Sequence, residues 1–131
     1  MAATVFITGA NSGIGLATTK LFLSQSFNVV ATARAPSDAT DLQDLRKSNE
    51  TRLLVVALDL LTPQTFQPAL DAAVARFGKV DVLVNNAGYG EFGPMEALQM
   101  DDYRRQFEVN VFGTSKSKEW PLLRLQWAVA D

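Results

Sequence analysis

The chain has no cysteine and no histidine among its 131 residues. The first absence excludes a disulfide framework, a thiol nucleophile and any cysteine-ligated metal. The second excludes a Ser-His-Asp triad and leaves carboxylates as the remaining metal ligands. Charge of neither sign is concentrated: 12 basic residues against 14 acidic ones give a net charge of −2. With no basic block and no acidic tail, no nucleic-acid partner is expected. No apolar run approaches the ~20 residues that span a bilayer. The N-terminus carries no basic leader ahead of a long apolar stretch, so no secretory signal and a cytosolic location are expected. An apolar content of 47% and a charged content of 20% describe a soluble globular chain, long enough for one core and too short for two. Internal repeats and low-complexity tracts are also lacking.

What the sequence does have is a glycine-rich turn, Thr8-Gly9-Ala10-Asn11-Ser12-Gly13-Ile14-Gly15. The apolar residues 2–7 before it read as a buried strand. Residues 16–24 after it read as a helix, with Leu16, Thr19, Lys20 and Leu23 at helical spacing. A strand, a glycine-rich turn and a helix in that order make a phosphate-binding element, because the first amides of a helix are free donors at the positive end of its dipole. The glycines admit the phosphate and the positive φ angles of the turn.

The spacing, Gly-x-x-x-Gly-x-Gly, differs from the common dinucleotide fingerprint. At this point the sequence resembles the short-chain dehydrogenase/reductase family, whose signature is Thr-Gly-x-x-x-Gly-Ile-Gly. A second signature of that family, Asn-Asn-Ala-Gly, stands at residues 85–88, directly after the apolar residues 80–84. Small residues there let the backbone approach a cofactor, and the asparagine amides can fix the loop to the central strands. An asparagine-rich turn alone would be unremarkable; two signatures in order, about seventy residues apart, are specific.

Between the signatures the chain alternates strands and helices. Residues 27–33 read as a second strand, apolar nearly throughout as a parallel strand covered on both faces should be. It ends at Arg34, nineteen residues after Gly15. In a dinucleotide fold this position meets the adenosine ribose, where an acid favours NAD and an Arg accommodates the 2′-phosphate of NADP. With Asp38 four residues further on and past Pro36, NADP is expected, NAD less so. Residues 38–49 read as a short surface helix with Leu42 and Leu45. Residues 52–58 form the third strand and end in Asp59-Leu60. The resemblance implies that this pair touches adenine; a carboxylate capping the next turn is the alternative from the residues alone. Thr62 reads as the N-cap of a helix opened by Pro63, with Phe66, Leu70, Ala73, Val74 and Phe77 as its apolar stripe and Gly78 as its stop. Asp71 and Arg76 read as solvated.

Residues 89–100 read as a loop bordering a substrate cleft. Residues 101–112 read as a helix with Phe107, Val111 and Phe112 as its apolar side. Within it, Asn110 matches the family's active-site asparagine, which bends the helix and holds a water in a proton relay. The expected cofactor residues are thus Gly9, Asn11, Ser12, Gly13, Ile14, Gly15, Arg34, Asp59, Leu60, Asn86, Ala87 and Gly88, with Asn110 catalytic and no metal.

The resemblance covers residues 3 to about 114. It implies an α/β doubly wound parallel sheet, Rossmann-like, of strand order 3-2-1-4, truncated after the fourth strand and following helix. It also implies NADP(H)-dependent interconversion of a carbonyl and an alcohol. That chemistry uses a Ser and a Tyr whose phenol is activated by a Lys four residues later, since a phenol near pKa 10 needs a nearby cation to work at neutral pH. Neither tyrosine of this chain has that lysine: Gly93 follows Tyr89 and Phe107 follows Tyr103 at that spacing. Ser115 and Ser117 lie too early to substitute. A dinucleotide-binding domain over residues 1–114 and a divergent tail over 115–131 are therefore expected. The tail reads as truncation, altered splicing or a misread frame. Its residues 123–129 alternate apolar and polar as a surrogate strand would, an amphipathic helix or disorder being as compatible. Catalysis by the chain alone is not expected. A nucleotide-binding module without turnover and a non-functional fragment are the other readings. Oligomers are possible by resemblance.

Overall fold

The computed structural model describes residues 2–117. Four parallel strands form its sheet: β1 (Thr4–Ile7), β2 (Asn28–Ala33), β3 (Leu53–Ala57) and β4 (Val82–Val84). Their order is β3-β2-β1-β4, as expected. Register runs Val5 to Val29 and Val5 to Val82 on the two sides of β1, and Val30 to Leu54 between β2 and β3. Each strand is shorter than its apolar run. Val80, for example, lies just ahead of β4 and is buried among core side chains without joining the ladder.

Helices follow the strands: α1 (Gly13–Ser24), α2 (Thr40–Lys47), α3 (Phe66–Phe77) and α4 (Met100–Phe107). Side chains alternating across β1 divide between two cores, as the period of a strand requires. Val5 and Ile7 pack with Leu16 and Leu23 of α1 and Leu42 of α2. Phe6 packs on the other face with Phe66, Leu70 and Ala73 of α3. Burial on both faces is why β1 and β2 carry so few polar residues.

Local details correct several expectations. The buried side of α1 is Gly15, Leu16, Thr19 and Leu23, whereas Lys20 is exposed. Thr19 is accommodated because its hydroxyl donates to the Gly15 carbonyl at 2.9 Å. Thr62 stands at the N-cap position with Pro63 first in the turn, as expected, but its side chain makes no cap. Its hydroxyl donates to the Asp59 carboxylate at 3.2 Å, the stronger acceptor, and Pro63–Thr65 makes a single 3-10 turn before α3 begins at Phe66. Gly78 ends α3 at φ 83°, as expected. Arg76, though exposed, is tethered: its guanidinium donates to the Glu50 carbonyl at 3.0 Å and lies 5.8 Å from the Phe77 ring centroid.

The segment after α4 departs furthest from its reading. Glu108–Gly113 forms a π-helical turn, so the helix widens around Asn110. Phe107, Val111 and Phe112, expected to face a core, are 57%, 45% and 55% exposed. Val109, Gly113 and Ser117 make the inward contacts instead. Residues 123–129 lie outside the described residues. No helix among the described residues is long and apolar enough to cross a membrane.

Candidate functional site

The carboxyl ends of the four strands open into one cleft of about 560 Å³. It lies where the chain, having built β2 and β3 on one side of β1, returns to place β4 on the other. Ligands bind at such switch points because the loops there diverge.

The two signature segments are joined by hydrogen bonds. The Asn86 side-chain amide donates to the carbonyls of Thr8 and Gly9, each at 2.9 Å. The Thr8 hydroxyl accepts from the N–H groups of Asn86 and Ala87 at 3.0 and 2.9 Å. Gly15 completes the joint: a Cβ there would collide with the Gly9 carbonyl oxygen and the Asn86 amide nitrogen. The glycine at 15 thus serves close packing between the segments, and its φ is not in the positive region.

Gly13 has a different role. It sits at φ 52°, and a Cβ on it would meet no protein atom within 4 Å. The backbone here is open towards the cleft. Ser12, the residue ahead of α1, makes no side-chain cap, and the first turn of α1 contains no acid. The first N–H groups of α1 therefore have no intrahelical acceptor and retain the dipole's positive end. A negatively charged pyrophosphate suits this arrangement, so the residues present fit a dinucleotide.

The other walls follow in strand order. Arg34 stands at the end of β2, exposed, with no hydrogen bond or ion pair among the described residues. Leu58, Asp59, Leu60 and Leu61 follow β3. The Asp59 carboxylate accepts from the Leu61 N–H at 3.0 Å as well as from Thr62, so it holds its own turn while facing the cleft. Gly88 and Tyr89 follow β4.

Every expected cofactor residue lines this cleft: Gly9, Asn11, Ser12, Gly13, Ile14, Gly15, Arg34, Asp59, Leu60, Asn86, Ala87 and Gly88. Asn110 is exposed and is not among the lining residues. Its side-chain Oδ1 accepts from the Tyr89 N–H at 3.1 Å and its Nδ2 donates to the Tyr89 carbonyl at 2.7 Å. The same Oδ1 lies where a Cβ on Gly88 would come within 3.0 Å. Ser117 is buried, its hydroxyl donating to the Thr114 carbonyl at 2.7 Å with Asn85 Oδ1 3.3 Å away.

The short chain dehydrogenase family profile matches residues 3–118. The chain belongs to the short-chain dehydrogenase family. Similar members include an oxidoreductase of Schizosaccharomyces pombe, 38% identical over 112 residues, which cover 86% of this chain and 36% of the relative. Among solved structures, the 3-ketoacyl-(acyl-carrier-protein) reductase of Brucella melitensis complexed with NADH has a TM-score of 0.80 at 32% identity. The match covers 92% of this chain and 49% of that one. An NADPH-bound carbonyl reductase from chicken fatty liver has a TM-score of 0.77 at 28% identity, covering 86% of this chain and 47% of that one. The chain spans less than half the length of the curated relatives it matches.

The cleft of this family member is also lined by Ala33, Leu58, Leu61, Arg105 and Val109, which the sequence did not single out.

Proposed function

We propose that the cleft binds NADP(H) in preference to NAD(H), and that the chain is the cofactor-binding part of an oxidoreductase acting on a carbonyl/alcohol pair. The observation that carries the preference is Arg34. It is a guanidinium at the end of β2, without a partner among the described residues and with no acid at the strand end. Such a group offers two parallel donors to a phosphate dianion and nothing comparable to a ribose hydroxyl.

In this reading Gly9, Asn11, Ser12, Gly13, Ile14 and Gly15 receive the pyrophosphate on backbone amides. Asp59 and Leu60 bound the adenine. Asn86, Ala87 and Gly88 form the floor on which the nicotinamide half rests. Asn110 contributes by fixing the backbone of Tyr89 at the edge of that floor. When bound, the cofactor supplies or accepts a hydride; the residues named bind and orient it.

The 131-residue chain by itself is proposed to bind without turning over, because neither tyrosine has a lysine four residues later. A nucleotide-binding module is the reading this favours for the isolated chain, in the cytosol. Residues 1–114 would be that module and 115–131 a divergent tail, whose Ser117 packs against it.

The test is a pair of titrations with NADP⁺ and NAD⁺ on the unmutated chain and on Arg34→Ala. A charge-assisted pair contributes about 1.5–3 kcal/mol, so NADP⁺ should bind about tenfold to a hundredfold more tightly. Arg34→Ala should remove that margin and leave NAD⁺ affinity unchanged. Superimposable curves for the two dinucleotides on the unmutated chain would refute the assignment.

A further inference from the structure

We propose that Arg105 is a nucleotide-binding residue whose guanidinium closes over the base slot of the cleft and stacks on the adenine ring. This rests on the dinucleotide reading above and adds a contact that reading does not contain.

Arg105 is in the last turn of α4, four residues before Val109, and both line the cleft. Residues at that spacing share one face of a helix. Val109 and Ala87 pack against the core that contains Leu60, and Arg105 lines the same cleft as all three. The neighbouring cations are engaged elsewhere: Arg104 donates to Asp101 at 2.9 Å, and Lys116 pairs with Glu108 at 3.4 Å. The Arg105 guanidinium has no hydrogen bond or ion pair among the described residues. The acid on this wall of the cleft, Asp59, has its carboxylate accepting from Leu61 and Thr62.

The cleft that Arg105 lines has a largely apolar stretch, Leu58, Leu60, Leu61 and Val109, interrupted by Asp59. A largely apolar stretch with a planar cation in the same cleft suits a flat aromatic ring. A guanidinium stacks on such a ring with its plane and its charge together, while its edge stays hydrated. A lysine offers the charge without the plane.

The experiment compares the full chain with Arg105→Ala, Arg105→Lys and Arg105→Met, the last keeping an unbranched stem if the alanine variant folds poorly. Each is titrated with NADP⁺, NAD⁺ and ADP-ribose, with thermal melts as the folding control. The expected result is a loss of about threefold to tenfold on all three ligands for Arg105→Ala and Arg105→Met. Arg105→Lys should recover less than half of it.

Unchanged affinities in both Arg105→Ala and Arg105→Met, with binding by the unmutated chain intact, would leave Arg105 a helix-end cation and overturn the proposal. A loss confined to NADP⁺ would make it a 2′-phosphate contact, and full recovery by lysine would make it a charge without stacking; either overturns it as stated. If the unmutated chain binds none of the three ligands, the dinucleotide reading itself fails, and this inference falls with it.

Discussion

The side-chain amide of Asn110 satisfies both backbone groups of Tyr89, accepting from its N–H at 3.1 Å and donating to its carbonyl at 2.7 Å. A side-chain amide has here taken the place of a strand neighbour, and it ties the loop after β4 to the π-helical turn. Asn110→Ala should lose both bonds. At about 1 kcal/mol each, the expected loss is about 2 kcal/mol, read as a lower urea midpoint at unchanged slope. Asn110→Asp should lose about half as much, because a carboxylate still accepts from the Tyr89 N–H but cannot donate to the Tyr89 carbonyl. Wild-type midpoints for both variants would remove the tie from the account.

Gly15→Ala forces a methyl group onto the Gly9 carbonyl and the Asn86 amide. Backbone supplies one of these contacts, so the strain cannot be relieved by a rotamer change. Overpacking of this kind costs about 1–3 kcal/mol. Gly93→Ala is the control, since its Cβ would meet only Leu98 side-chain atoms at 3.7 Å or more. Paired chemical denaturation of the two variants checks the prediction, which requires a drop for the first and little change for the second.

Much of this was readable in the sequence, and the misses share a cause. The alternation of strands and helices follows from apolar runs separated by helix-length segments, the strand order from the family resemblance, and the cleft from glycines and asparagines whose backbone demands are local. The misses turned on which groups meet in three dimensions, near or far in the chain. Thr62 has the right identity and position for a cap, but the Asp59 carboxylate three residues earlier captures its hydroxyl. Phe107 and Phe112 have the spacing of a buried stripe, but the widened turn at Asn110 breaks the helical phase that the reading assumed. Arg105 belongs to a polar helix, and nothing local to it reveals that Leu60 and Val109 will stand beside it.

Acid should weaken the molecule at the end of the sheet opposite the cleft. Asp81 accepts from the Thr4 N–H at 2.8 Å and pairs with Lys79 at 2.6 Å. The Lys79 hydrogen bond first, and the Thr4 amide second, hold its carboxyl below the usual carboxylate range. The unfolded chain therefore binds the proton at higher pH than the native one does. The contribution is whole above the unfolded value near ~3.9, and is lost as pH falls through the lower native value. Urea unfolding between pH 6 and pH 3 should show Asp81→Asn less stable than the unmutated chain at the upper end, the two converging at the lower. A constant gap across the range would contradict it.

Turnover is the remaining prediction. Positioned acid–base groups contribute about 10²–10⁴ in rate, and the lysine that would activate a phenol is missing beside Tyr89 and Tyr103. The 131-residue chain, with NADPH bound, should give no carbonyl-dependent oxidation of the cofactor by absorbance over a panel of ketones and aldehydes. A rate that depends on added substrate and vanishes in Tyr89→Phe would show that this phenol works unaided.

β4 also sets the order in which the molecule can be assembled. β1 meets β2 across a short stretch of chain, but the contact of Thr4 with Asp81 spans 77 residues. Closing so long a loop costs little extra entropy per added residue, yet contacts this distant form slowly. Until they form, one side of β1 offers bare backbone, and only three pairs in register close it. Thr8 and Asn86 come together in that same event. Any partly assembled form without β4 therefore lacks the Asn86 side of the cleft, and its glycine turn has no floor.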